Sequence, residues 1–322
     1  MGETSYGVPG RVTPLAEGLW MIDLGFQERE TVVTAYLIQQ GDALAVIETG
    51  PSSTLPHLLA GIRTAGFAPS DLTDVLVSHI HLDHSGAAGV MLRDHAPRAM
   101  VHVHPVGLPH LVDPAKLVAS AGRLYTDRMD ALWGEIAPVP ADRVQAVADG
   151  VPVRIGTGEL VPWFTAGHAS HHIVVWDEAR RVAFTGDVGG VRMPSMQFNL
   201  PPCPPPEVNP DAWAESAQRM RSLGAERLCL THGGCFDDVE AHLAQLEPNI
   251  AALTEVAKAA LLEGAGHEEV TARIHTWVAE QAGPIDPEVL TNLEWASPSY
   301  LASLGLTRLL VKRGEVPAPP KE

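Results

Sequence analysis

Long apolar runs are missing from this 322-residue sequence. No uninterrupted apolar segment approaches the roughly 20 residues that a bilayer-spanning helix needs, so no membrane association is expected. Basic charge is scarce. Against 39 Asp and Glu there are 22 Lys and Arg, a formal net charge of −17, and no basic run stands out. So acidic a surface repels phosphate backbones, which excludes a general nucleic-acid partner. Cysteine is scarce as well. Cys203, Cys229 and Cys235 are too few and too irregularly spaced for a disulfide framework, and all three are expected to be reduced. The opening stretch MGETSYGVPGRVTPLAEG lacks the basic and apolar regions of a signal peptide. These absences point most simply to a soluble, cytoplasmic protein. Its 45% apolar and 19% charged residues are ordinary for a globular chain. The length suits one large domain or two smaller ones.

Histidine, by contrast, is plentiful at 15 residues. The stretch VLVSHIHLDHSGAAG, residues 75–89, places His79, His81, Asp83 and His84 within six positions. Val75, Leu76 and Val77 read as a buried strand, and a helix is expected from about Ser85 to Asp94. The cluster therefore occupies the loop at the carboxyl end of a strand, where α/β proteins place their sites. Alternation along an extended segment puts His79, His81 and Asp83 on one side, with His84 turned elsewhere. Two diverging sets of this kind suit two metal ions a few ångströms apart.

Further ligands are expected just after other strands. FTAGHAS offers His168, AFTGDVGG offers Asp187 and LCLTHGG offers His232, each beside a glycine that lets the backbone bend. Along the rest of the chain, strand-like and helical segments alternate. A helix is expected over PAKLVASAGRLYTDRMDALWGEI. The proline-rich residues 192–210 exclude regular helix or central strand. From Asp237 onward three helical stretches follow: 237–264, 267–281 and 287–313.

The series H-x-H-x-D-H, then GH, GD and TH, in that order, resembles the metallo-β-lactamase superfamily, over about residues 10–235. The resemblance implies an α/β fold, the αββα sandwich of two mixed β-sheets with outer helices. It would occupy residues 1–236, with a helical insertion at about 105–138 and a helical C-terminal extension over 237–322. By the same resemblance His79, His81 and His168 hold one metal, Asp83, His84 and His232 hold a second, and Asp187 bridges them. VIETG, residues 46–50, stands where these proteins usually carry Asp-Thr-Gly, so Glu48 takes the place of the acid that orients a histidine ligand. The implied cofactors are two divalent ions, zinc first, with manganese or iron as alternatives. The implied reaction is hydrolysis of a small ester, thioester or lactone by a metal-bridging hydroxide, with Asp83 as the catalytic residue that orients the nucleophile or accepts its proton. The alternatives are a phosphodiesterase and a mononuclear iron oxygenase of the persulfide dioxygenase kind, using His79, His168 and Asp187. Within the superfamily the sequence looks most like the glyoxalase-II-like metallohydrolases.

Other side chains tempt less. His171 and His172 suit a strand-edge or supporting role, and His102 and His104 a structural or solvated one. Cys235 reads as an inert thiol. Arg192, Met193, Gln197 and Phe198 are expected to wall the substrate cleft, with Tyr125 and Trp133 opposite or else in the core. The amphipathic C-terminal helices suit either packing on the sandwich or a homodimer face.

Overall fold

The computed structural model describes residues 11–318, so the first ten residues, part of the stretch read for a signal peptide, lie outside it. Thirteen strands form two sheets among the described residues. The first has the order β1 (Val12–Ala16), β2 (Leu19–Asp23), β3 (Thr34–Gln40), β4 (Ala43–Ile47), β5 (Leu72–Leu76), β6 (Met100–Val103) and β7 (Val144–Ala146). Its first four strands are an antiparallel meander, and β4 to β7 run parallel. Parallel strands need crossovers. Helix α1 (Leu55–Thr64) joins β4 to β5, and α2 (Leu82–Ser85) and α3 (Ala88–Asp94) join β5 to β6. Helices α4 (Leu108–Val112), α5 (Ala115–Tyr125) and α6 (Met129–Trp133) join β6 to β7. The second sheet comprises β8 (Val153–Ile155), β9 (Gly158–Phe164), β10 (Ile173–Asp177), β11 (Val182–Phe184), β12 (Arg227–Leu230) and β13 (Gly234–Phe236), in that spatial order. The remaining helices are α7 (Pro210–Ser222), α8 (Val239–Leu243), α9 (Leu246–Leu262), α10 (His267–Ala282), α11 (Pro287–Ala296) and α12 (Ser299–Lys312). Among the described residues no helix is long and apolar enough to cross a membrane.

The chain divides into two compact units, Met1–Phe164 with Ile173–Phe184, and Thr165–His172 with Thr185–Glu322. In the first, every residue of β4 and of β10 is buried, as expected of strands covered on both faces. Tyr36 of β3 meets Phe184 of β11 with ring centroids 5.1 Å apart, so the two sheets share a core there. In the second unit, α9 packs against α7, α10 and α12. The apolar side chains Leu253, Val270 and Leu306, from three different helices, are fully buried.

Prolines explain where the expected long helices break. The 237–264 stretch splits into α8 and α9 because the ring of Pro248 bars a helical carbonyl at Ala244, while in the first turn of a new helix its missing N–H is no loss. The 287–313 stretch breaks ahead of Pro298, which forces Ser297 to an extended φ of −141°. Glu294 then accepts from the Ser299 backbone N–H at 3.0 Å and from its hydroxyl at 2.5 Å, tying α12 to α11. The expected helix over 114–136 ends α5 at Tyr125, where Thr126 takes φ 47°.

Candidate metal centre

In the first unit the histidine cluster follows β5 directly. Val77, the last apolar residue before it, is fully buried. The Ser78 carbonyl accepts from the Ile173 N–H at 2.7 Å, anchoring the loop to β10. The chain remains extended only as far as His81 and then winds into the single turn α2. The expected alternation therefore holds for His79 and His81 and fails for Asp83, which lies in the first turn of α2 beside His84. Likewise the helix expected from Ser85 is two short pieces, α2 and α3. The result is two pairs. His79 Nε2 faces His81 Nδ1 at 2.8 Å. Asp83 Oδ1 lies 3.8 Å from His84 Nε2.

Each buried ring has its other nitrogen held. His79 Nδ1 is 3.0 Å from the Ser78 hydroxyl. His84 Nδ1 is 3.1 Å from Glu48 Oε1, and Glu48 Oε2 accepts from the Ser78 N–H at 3.3 Å. The longer acid at position 48 thus does orient a histidine. Its backbone takes φ 65°, a left-handed conformation that costs a non-glycine residue about 1–2 kcal/mol. Thr49 secures the same turn from the other side by donating its hydroxyl to the His84 carbonyl at 3.0 Å.

The second unit holds His168, Asp187 and His232. Asp187, 4% exposed, opens a tight turn over Gly186–Gly189. Its Oδ2 is 3.3 Å from His168 Nε2 and its Oδ1 is 3.2 Å from His232 Nε2. The far nitrogen of His168, Nδ1, donates to the Pro202 carbonyl at 2.9 Å, so the proline-rich segment sets that ring. His232 owes its position to Gly233, at φ 111°, where a Cβ would collide with the Arg192 carbonyl. Gly167, ahead of His168, lies against the Trp213 backbone, and there too a Cβ does not fit.

The Asp187 turn is held by His172, in the supporting role expected of it, and by three residues that the sequence does not mark. His172 is fully buried, and its Nε2 accepts from the Asp187 N–H at 3.1 Å. Trp213 Nε1 donates to the Val188 carbonyl at 2.8 Å, and the Asn199 amide to the Gly189 carbonyl at 3.1 Å. His242 Nε2 also donates to the Gly189 carbonyl, at 2.8 Å. Trp213, Asn199 and His242 have no motif signal, because each is a single residue on a separate part of the chain.

Burial pushes the His242 pKa down from 6.5 to about 4. The unfolded chain therefore takes up a proton below about pH 6.5 that the folded chain refuses until about pH 4. The stability linked to His242 is full above that window and is lost as the pH falls through it, on the order of 3 kcal/mol at the acid end. Urea midpoints at neutral pH and near pH 5 should differ less for His242→Asn than for the unsubstituted chain. Equal differences would contradict the assignment.

Several expectations need correction. Arg192, Met193 and Phe198 are buried and do not wall a cleft. Arg192 forms two 2.9 Å bonds to the Asp238 carboxylate and lies over the Phe236 ring, and Phe198 meets Trp277 edge-on. Of that group only Gln197 is exposed. His102 pairs with Asp74 at 2.7 Å and is 5% exposed, so its role is structural and not solvated. His104 packs on Phe164, and burial lowers its pKa. Trp133 is a core residue between Phe26 and Tyr125. His171 is half-buried.

Comparison with known proteins places this geometry in context. The family model described as the metallo-beta-lactamase superfamily matches residues 29–232. A metallo-beta-lactamase family protein from Thermus thermophilus superposes with a TM-score of 0.70 at 19% identity, covering 94% of this chain and 95% of that one. A beta-lactamase domain protein from Burkholderia ambifaria gives 0.67 at 18% identity, covering 97% and 92%. These likenesses show the fold, the αββα sandwich of two β-sheets with helices, here with a helical C-terminal region. A hydroxyacylglutathione hydrolase from Methylobacterium sp. (strain 4-46) is 30% identical over 135 residues, which span 41% of this chain and 40% of that relative.

Proposed function

The chain belongs to the metallo-β-lactamase superfamily, and from that premise we propose that it is a dinuclear metal-dependent hydrolase of a small ester, thioester or lactone. The ligands on this reading are His79, His81, His168 and Asp187 in one donor group and Asp83, His84 and His232 in the other. The observation that carries it is the Asp187 carboxylate, with one oxygen 3.3 Å from His168 Nε2 and the other 3.2 Å from His232 Nε2, so that it would hold an ion together with either histidine. The donor chemistry fits: imidazoles and carboxylates suit zinc first, then manganese or iron. All seven ligands fall within residues 1–236, which we take as the catalytic portion, with 237–322 as a helical extension.

Two such ions, when bound, supply a nucleophile from water near neutral pH and polarise the substrate's carbonyl oxygen. The chain's own part is to fix the donors and handle the proton. Ser78, Glu48 and the Pro202 carbonyl each engage the Nδ1 of a histidine, leaving Nε2 of His79, His84 and His168 as the donor. Asp83, whose side chain is 23% exposed, is the carboxylate placed to meet solvent and accept the proton of the attacking water. The Methylobacterium relative's name supports the thioester among the three substrate classes.

Glu48→Gln keeps the size of the side chain and removes the charge that holds His84. Metal affinity should fall about 10–100-fold, read by titration against a chromophoric chelator. Unchanged affinity would remove Glu48 from the account. The reaction class is tested with a panel of thioesters, lactones and phosphodiesters on the full chain. The reading expects turnover of a thioester, ester or lactone that a chelator abolishes and zinc restores. Cleavage of phosphodiesters alone, or oxygen uptake with a persulfide and no hydrolysis, would overturn it.

A further inference from the structure

His232 lies midway along the chain between Cys229 and Cys235. In sequence the two cysteines look unrelated, but β12 and β13 set them directly opposite each other. Cys229 pairs with Cys235 in register, between the pairs Leu228–Phe236 and Leu230–Gly234. The Cys229 carbonyl accepts from the Thr185 N–H at 2.9 Å. In a strand, a residue's N–H and C=O point to the same side, so Cys229 turns both away from β13. The two cysteines therefore form a non-hydrogen-bonded cross-strand pair, the kind with Cα atoms about 4.5 Å apart and the closest side chains. A disulfide accepts Cα separations of about 4.4–6.8 Å. Two residues along each strand, Arg227 holds Asp237 through bonds of 2.6 and 2.9 Å, which fixes the register.

We propose that Cys229 and Cys235 are an oxidisable dithiol whose disulfide closes the turn that carries His232. The oxidant is hydrogen peroxide or another hydroperoxide. Cys235 is half-buried and Cys229 is 1% exposed, so peroxide reaches Cys235 first. Its sulfur takes one peroxide oxygen to become a sulfenic acid, and the other oxygen leaves as water. The Cys229 sulfur then displaces the hydroxyl, the S–S bond forms and a second water leaves. Overall the two thiols lose two hydrogens and two electrons, and hydrogen peroxide is reduced to two waters. Burial, followed by the neighbouring Cys235, holds the Cys229 thiol well above its ordinary range, so Cys229 is not the first sulfur to react. Cys203 is buried elsewhere, beside the Pro201 carbonyl, and takes no part. The bond would tie both ends of the Thr231–His232–Gly233 turn, so the redox state of the pair sets how freely His232 moves.

The inference does not rest on the metal reading, and its test needs no turnover. The full chain is exposed to hydrogen peroxide, denatured, and its thiols counted by alkylation. The count should fall from three to one, with a Cys229–Cys235 cross-linked peptide in the mass map, and dithiothreitol should restore it to three. In Cys203→Ser the same treatment should leave no thiol, and in Cys235→Ser no cross-link should form. Retention of all three thiols would overturn the proposal. So would over-oxidation of Cys235 with Cys229 still a thiol, or a cross-link through Cys203.

Discussion

Asp187→Asn should reduce kcat/KM by about 10³-fold or more, equivalent to about 4 kcal/mol of barrier, with a parallel loss of bound metal. The amide keeps the shape of the carboxylate and one oxygen. It loses the charge and the second oxygen, the two properties that the proposed role requires. Asp187 is buried between His168 and His232 and contacts both rings. The turn that presents it is held through backbone groups by His172, Trp213, Asn199 and His242, and these contacts survive the substitution. The variant should therefore fold and unfold much as the parent does while losing activity. Steady-state kinetics on the best substrate of the panel, with metal analysis of the same sample, checks this. Activity and metal content near those of the parent would remove Asp187 from the site.

Trp213→Ala should cost about 3–5 kcal/mol of stability, the largest single effect expected outside the ligands. Trp213 is 1% exposed and is among the largest fully buried side chains of the described residues. Its truncation opens a cavity beneath Gly167, whose lack of a side chain shows how closely the two backbones approach. It also leaves the Val188 carbonyl without the indole N–H that donates to it at 2.8 Å, one residue from Asp187. A lost hydrogen bond of this kind accounts for about 1–3 kcal/mol, and the cavity for the rest. Trp213→Phe separates the two effects, since it keeps most of the volume and loses only the donor. Denaturant midpoints should rank the parent above Trp213→Phe and Trp213→Ala last. A neutral Trp213→Ala would mean that the Asp187 turn does not depend on this helix.

The residues proposed as donors are legible in the sequence because they stand at the ends of apolar strands, several beside glycines, a pattern that composition alone rarely produces. The scaffold behind them is not. Glu48 is visible there only as a departure from an expected aspartate, and its reach to both His84 and the Ser78 N–H becomes clear with the fold. His172, close behind His168, is marked as a supporting residue, but Trp213, Asn199 and His242 converge on the same short turn from scattered positions that no local spacing marks. The proline-rich segment reads as irregular and is so, yet nothing in it marks Arg192 as buried. A sequence cannot show that Asp238 lies within reach to neutralise a buried guanidinium. Strand β1 is hard to see because Pro14 interrupts its pattern; at the edge of a sheet, with a register shift beside it, that proline is tolerated. The helix breaks at Pro248 and Pro298 are readable in principle, since proline acts there through covalent geometry alone.

The central claim is that one carboxylate, Asp187, serves two ions. Metal content per chain, measured by mass spectrometry on full-length protein purified without added metal, tests it most directly. The account predicts about two divalent ions per chain, falling to one or none in Asp187→Asn. A single ion per chain that persists when zinc or manganese is supplied in excess would contradict it.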